Sequence, residues 1–269
     1  MICIKVGLVQ FRPELFQVKR NVERALQLIE NKKARLFVFP ELSFTGYTFK
    51  TKKEVEEVSE IVSDKNDCGY SIQVFRDFAM KNQTNVVFGF VEKDGEKFYN
   101  SSILIKHDGR YKVYRKMHLF YEEKLFFEPG NTGFWVDEIE GVKLGLAICF
   151  DWIFPESFRT LALKGAQIIA HSTNLVMPYC QEANKIRSLE NRIFIITANR
   201  WGEEKNGQKI NKFTGMSQIT NPQGEVIVRF PKQGDLVEIV DVDPSEALKK
   251  SINDYNDLFE DRRVDFYCC

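Results

Sequence analysis

The sequence predicts an α/β protein in which helices cover both faces of paired, largely buried mixed sheets. Three observations predict it: short runs rich in Val, Ile and Phe recur along the chain, amphipathic helical patterns separate the early runs, and tight-turn signals join the middle ones. The apolar runs at 2–9, 35–39, 85–91, 101–106, 143–149, 167–171, 192–198, 225–230 and 235–241 are read as strands. The segment 21–31 places Val22, Ala25, Leu26 and Ile29 on one helical stripe, and 71–82 does the same with Ile72, Phe75 and Phe78. A third helix opens at Pro155, where proline suits the first turn, and runs to about Lys164 before Gly165. EKDGEK (92–97) and HDGR (107–110) carry the Asp-Gly signal of antiparallel turns, so the sheet is mixed. NPQG (221–224) separates two late strands, and Asp243-Pro244 opens a short helix before a polar, aromatic tail.

The 269 residues are enough to bury a substantial core without metal or disulfide support. No repeat or flexible linker divides them, so one domain over 1–269 is expected, with 244–269 as a C-terminal arm. Lys plus Arg number 38 and Asp plus Glu number 38, which leaves no global field to attract nucleic acid or an anionic membrane. The N-terminus lacks a leader pattern, no segment approaches membrane-spanning length, and a cytoplasmic location is expected. Cys3, Cys68, Cys149, Cys180, Cys268 and Cys269 show no CxxC spacing, so reduced thiols are the default. His107, His118 and His171 form no HExxH or Cys/His cluster, so neither a metal site nor a cofactor is expected, and catalysis must come from side chains.

Three reactive residues stand at the carboxyl ends of apolar strands, where open α/β folds place their sites: RLFVFPE ends in Glu41, YKVYRK in Lys116 and KLGLAIC in Cys149. Singly, such a cysteine is more often a small buried hydrophobe, and such a Lys or Glu a solvated strand end. Together they supply a thiol nucleophile, a cation to stabilise negative charge and a carboxylate to accept and return protons. His118, two positions beyond Lys116, would face the same side of an extended strand and either supports the site or fills a polar pocket.

PELSFTGY (40–47), YRKMHLF (114–120) and ICFDWIFPES (148–157) resemble, in order and spacing, the three signatures of the nitrilase superfamily of carbon–nitrogen hydrolases. The resemblance runs from VGLVQF to NPQGEVI, most of the chain. It implies a four-layer α-β-β-α sandwich, a homodimer or larger homo-oligomer often helped by a C-terminal arm, and a Glu41, Lys116, Cys149 triad. Cys149 is then the nucleophile, Glu41 the general base, and Lys116 with the Phe150 N–H the stabiliser of the oxyanion. EKLFFEPG resembles the segment of the amidase and carbamoylase branches that brings a second glutamate, here Glu123, to the substrate nitrogen or to Lys116. Tyr47, Trp152 and, through STNLVMPY (172–179), Asn174 are further candidates for the pocket.

Phe150-Asp151 follows the nucleophile where the superfamily's nitrilases usually show Trp-Glu, which favours an amide over a nitrile. With Trp152, Ile153 and Phe154 apolar and no arginine in the stretch, the expected substrate is a small, neutral or weakly polar amide. Ureido compounds and aliphatic nitriles are the alternatives, and Arg187, Arg192 or Arg200 could bring acidic substrates from later loops. A catalytically silent binding module is the alternative of another class.

Overall fold

A computed structural model describes residues 3–63 and 68–267; Cys268 and Cys269 lie outside them. The first half runs β1 (Ile4–Gln10), α1 (Val18–Ile29), β2 (Leu36–Val38), α2 (Lys52–Glu57), β3 (Glu60–Ile61), α3 (Tyr70–Asn82), β4 (Asn85–Asp94), β5 (Lys97–Ile105) and β6 (Tyr111–Arg115). The second runs β7 (Val136–Ile139), β8 (Val142–Ile148), α4 (Pro155–Leu163), β9 (Ile168–Thr173), α5 (Cys180–Asn191), β10 (Phe194–Asn199), β11 (Trp201–Asn206), β12 (Lys209–Thr214), β13 (Gln218–Thr220), β14 (Val226–Arg229) and β15 (Leu236–Val242).

The strands form two mixed sheets and a hairpin. The first sheet has the order β15-β1-β2-β4-β5-β6, with β3 beside β4; the second has the order β14-β13-β10-β9-β8-β7; β11 and β12 pair with each other. Alternation along the strands makes the layers, because successive side chains point to opposite faces. In β1, Ile4, Val6 and Leu8 join the core between the sheets, whereas Val9 joins the core beneath α1 and α3. Leu36 and Val38 of β2 face the same inner core, and Phe37 faces the helices. Ile168, Ala170, Phe158 and Leu161 extend the inner core through the second sheet to α4. Helices, sheet, sheet and helices thus give the expected α-β-β-α sandwich with mixed sheets.

The turn chemistry holds in detail. Asp94 pairs with Lys97 across a two-residue loop whose first residue, Gly95, takes φ +60°, a conformation glycine adopts without a Cβ penalty. Antiparallel turns at 107–110 and 221–224 likewise join β5 to β6 and β13 to β14. Strand direction then sets the position of the site. β2 and β4 are parallel, and β6 is antiparallel to β5, which is antiparallel to β4, so β2 and β6 deliver their carboxyl ends to one edge. Glu41 and Lys116 follow those two strands, and Cys149 follows β8 of the facing sheet.

Among the described residues no helix is long and apolar enough to cross a membrane.

Candidate active site

Each of the three reactive residues is held by backbone that its local sequence permits. Glu41 leaves β2 through Phe39-Pro40 and presses onto β4, where Ser43 N–H donates to the Gly89 carbonyl over 2.8 Å. A Cβ at Gly89 would lie 2.4 Å from Leu42 N and 2.7 Å from Glu41 Cα, so only glycine admits that approach. Lys116 N–H donates to Asn100 O of β5 over 2.9 Å, and its own carbonyl accepts from Gly130 N–H over 2.8 Å. Cys149 begins a 3-10 turn, Cys149–Ile153, at φ +38°, a left-handed conformation that costs a non-glycine residue about 1–3 kcal/mol. Asp151 holds that turn: Oδ2 accepts from Ile148 N–H (2.9 Å) and the Tyr114 hydroxyl (2.7 Å), and Oδ1 lies 2.8 Å from His118 Nδ1.

The side chains meet in a buried cluster. Lys116 Nζ stands 2.6 Å from Glu41 Oε1 and 2.8 Å from Glu123 Oε1, with Lys116 and Glu41 side chains fully inaccessible. Asn100 Nδ2 donates to Glu41 Oε1 over 2.7 Å, and the Tyr47 hydroxyl donates to Glu123 Oε1 over 2.5 Å. Glu41 Oε2 is buried with no partner among the described residues. Burial pushes the Glu41 pKa up, with Lys116 opposing. Burial also opposes the charge on Lys116, yet Glu123 and Glu41 overcome it and hold the ammonium above its usual pKa. Burial, followed by the Glu41 charge, raises Cys149 well above the ordinary thiol, so the resting sulfur is protonated. With two carboxylates already around one cation, a thiolate would add a further negative charge without a partner cation.

Glu41, Lys116, Glu123 and Tyr47 therefore lie in one hydrogen-bonded group. Cys149, Phe150, Trp152 and Asn174 line an adjoining narrow cleft completed by Phe120, Leu175, Val176 and Met177. Tyr47 and Glu123 open onto a second cleft that shares the Phe120 and Val176 walls. His118 does not continue β6 beside Lys116, since the strand ends at Arg115. It instead stacks on Phe154, ring centroids 3.8 Å apart, and braces Asp151. Arg187 bonds the Trp152 carbonyl and Glu190, Arg192 bonds the Pro222 carbonyl, and Arg200 pairs with Glu204; none of them lines either cleft. A hollow of about 500 Å³ near Lys32 and Asn82 is larger but contains none of the reactive residues. Among the described residues no group of His, Cys, Asp and Glu could hold a metal ion.

Sequence reading missed four supports. Asn100 and His171 sit inside apolar strands and give no local signal. Asp151 lies within the third motif, two positions after Cys149. The fourth is the β11–β12 hairpin, whose Glu204 Oε1 accepts from Tyr47 N–H (2.8 Å), Thr48 N–H (2.7 Å) and the Thr48 hydroxyl (2.7 Å), while Arg200 neutralises its other oxygen at 2.6 Å. The hairpin thereby fixes the loop that carries Tyr47.

His171 is wholly buried and donates from Nε2 to the Cys149 carbonyl over 3.0 Å, with Asn184 Nδ2 donating to its Nδ1 over 3.1 Å. Burial lowers its pKa to about 4 from 6.5. The unfolded chain therefore binds the extra proton first as pH falls, so His171 contributes stability above about pH 6.5 that is lost between there and pH 4, about 3 kcal/mol in all. His171→Gln, which keeps the donor to Cys149, is expected to flatten that part of the stability–pH curve in chemical denaturation. An unchanged slope contradicts a buried neutral imidazole.

The family model described as carbon-nitrogen hydrolase matches residues 5–249. The chain belongs to the carbon-nitrogen hydrolase family. A protein named nitrilase from Pyrococcus abyssi is 43% identical to this hydrolase over 267 residues, covering 98% of this chain and 99% of that one. An (R)-stereoselective amidase from a Pseudomonas species is 31% identical over 269 residues, covering 97% and 92%. In fold, the hydrolase is similar to the crystal structure of a carbon-nitrogen hydrolase from Helicobacter pylori G27, with TM-score 0.83, 24% identity, and 98% and 97% of the two chains covered.

Proposed function

We propose that this hydrolase cleaves the C–N bond of a small, neutral, linear amide to a carboxylate and ammonia through a thioester on Cys149. The observation that carries this reading is the buried Glu41–Lys116–Glu123 cluster beside a protonated Cys149, with Glu41 Oε2 lacking a partner among the described residues. The raised pKa of Glu41 suits a group that must both take and return a proton. In the first half-reaction Glu41 accepts the thiol proton as sulfur attacks the carbonyl carbon. Negative charge developing on oxygen is met by Lys116 Nζ and the Phe150 N–H. Glu41 returns the proton to the departing nitrogen, the C–N bond breaks, and ammonia leaves an acyl thioester. Glu41 then takes a proton from water, whose oxygen displaces sulfur to give the acid and restore the thiol.

Glu123 and Tyr47 hold Lys116 in this scheme, Trp152 and Phe150 wall the acyl arm, and His118 keeps the Cys149 turn in place through Asp151. The small apolar cleft without Lys or Arg supports a neutral substrate. An aliphatic nitrile is the second reading, favoured by the relative named nitrilase; a ureido carbon can react by the same steps. The resemblance further supports a homodimer, and the exposed Leu163, Ile186 and Leu189 of α4 and α5 supply an apolar face for it; a monomer mass by light scattering contradicts that assembly.

Ammonia release from short amides, ureido compounds and aliphatic nitriles tests the reaction. Amides are expected to release the most, and Cys149→Ala is expected to remove the activity by at least about 10³-fold. Release unchanged in Cys149→Ala overturns the mechanism, and silence of the wild-type protein across the panel favours a binding module.

A further inference from the structure

Asn174 follows β9 in the wall of the Cys149 cleft and is 2% exposed. Among the described residues neither its Nδ2 nor its Oδ1 has a partner. Burying a carboxamide without partners is unfavourable, and Asn199, at the end of the adjacent strand β10, avoids it. Asn199 Oδ1 accepts from the Thr173 hydroxyl and Leu175 N–H, and its Nδ2 donates to Thr214 and Gly215. Around Asn174 the cleft offers only the apolar side chains of Phe120, Phe150, Trp152, Leu175, Val176 and Met177 besides the thiol.

The two ends of the scissile group already have partners in the amide reading: Lys116 and the Phe150 N–H for oxygen, Glu41 for nitrogen. What remains for Asn174 is the acyl arm. We infer that Asn174 recognises a second planar donor–acceptor group on that arm, so that the preferred substrates are short diamides, or amides ending in a ureido group, rather than plain alkyl amides. This rests on the amidase reading above. A carboxamide edge presents one N–H to Oδ1 and one carbonyl to Nδ2, which satisfies both atoms of Asn174. A carboxylate satisfies only Nδ2, turns a second oxygen toward Oδ1, and finds no Lys or Arg lining the cleft. An alkyl arm satisfies neither, and a site built to bond a polar group discriminates against the analogue lacking it.

Butanediamide, butanamide and 4-amino-4-oxobutanoate, equal in arm length, separate these cases. Wild-type protein is expected to favour butanediamide over butanamide in kcat/KM by about 10- to 100-fold, as two hydrogen bonds to a buried amide give. Asn174→Leu, with Asn174→Ala as the second variant should it fold poorly, is expected to bring that ratio near one by losing activity on the diamide. Calorimetry in Cys149→Ala, with and without Asn174→Leu, reads the same preference as binding and needs no turnover. A wild-type ratio near one, an equal loss on both amides, or preference for the carboxylate overturns the assignment. If no amide is hydrolysed while Cys149→Ala still binds the diamide selectively through Asn174, the amidase reading fails and the Asn174 assignment stands.

Discussion

Lys116→Met is expected to abolish activity and to lower stability by about 3–5 kcal/mol, the cost of removing one partner from a buried ion pair. Methionine fills the same volume, so the loss comes from charge. Glu41 and Glu123 would share a site with no cation, although both side chains are nearly or wholly inaccessible. Protonation of Glu41, whose pKa burial already raises, relieves part of the cost and makes the variant's deficit smaller in acid than at neutral pH. Removing the second charge should restore stability without restoring chemistry. Lys116→Met combined with Glu41→Gln is therefore expected to be more stable than Lys116→Met alone by at least about 1 kcal/mol beyond the effect of Glu41→Gln by itself, a non-additivity typical of residues in one network. Urea denaturation of the three variants measures it; additive losses would show that the cluster is not electrostatically coupled.

Glu41→Gln is expected to separate function from stability in the opposite sense. Glutamine keeps the shape and an oxygen for Asn100 and Lys116, which stand 2.7 and 2.6 Å from Glu41 Oε1, but cannot take the thiol proton. A fall in kcat of about 10²- to 10⁴-fold is expected from losing a general base. Stability is expected to hold or rise, because one of two carboxylates flanking a single cation has been neutralised. In the wild-type protein the working form of Glu41 is its carboxylate, so activity falls as pH drops through a pKa that burial has raised. The residual activity of Glu41→Gln should lack that acid limb. Near-normal kcat in the variant would assign the proton transfer to another group.

Strands were legible in the sequence because runs rich in Val, Ile and Phe favour extended, mostly buried chain, and every apolar run coincides with an observed strand. α5 was not legible because its polarity is reversed. Asn184, Ser188 and Asn191 face inward, where Asn184 bonds His171 and Thr197, while Ile186 and Leu189 face outward. A pattern search for an inward apolar stripe passes over such a helix. The β11–β12 hairpin was hidden differently: its flanks, WGEEKN and KINKFT, carry charged residues along a largely half-buried ribbon. Its Asn206-Gly207 turn, with Gly207 at φ +63°, nevertheless carried a recognised hairpin signal.

The site divides in the same way. Glu41, Lys116 and Cys149 could be picked out because each ends a strand, and Glu123 because its segment resembles a family pattern. Their convergence was implied by the family resemblance but not readable from local pattern, since it depends on two sheets packing with β2 and β6 on one side and β8 on the other. Nor could local sequence show that His118 turns away from Lys116 to Asp151, or that Glu204, far along the chain, anchors Tyr47. Long-range hydrogen bonds of this kind join residues that share no period and no motif.

The central claim is a covalent acyl enzyme on Cys149, and the most direct measurement is acid-quenched mass spectrometry of the wild-type protein during turnover of a short amide, followed by peptide mapping. The account predicts a mass increase equal to the acyl group on the peptide that contains Cys149, absent in Cys149→Ala and lost on treatment with neutral hydroxylamine, which cleaves thioesters. Steady ammonia release with no such adduct, or an adduct on another residue, would contradict it.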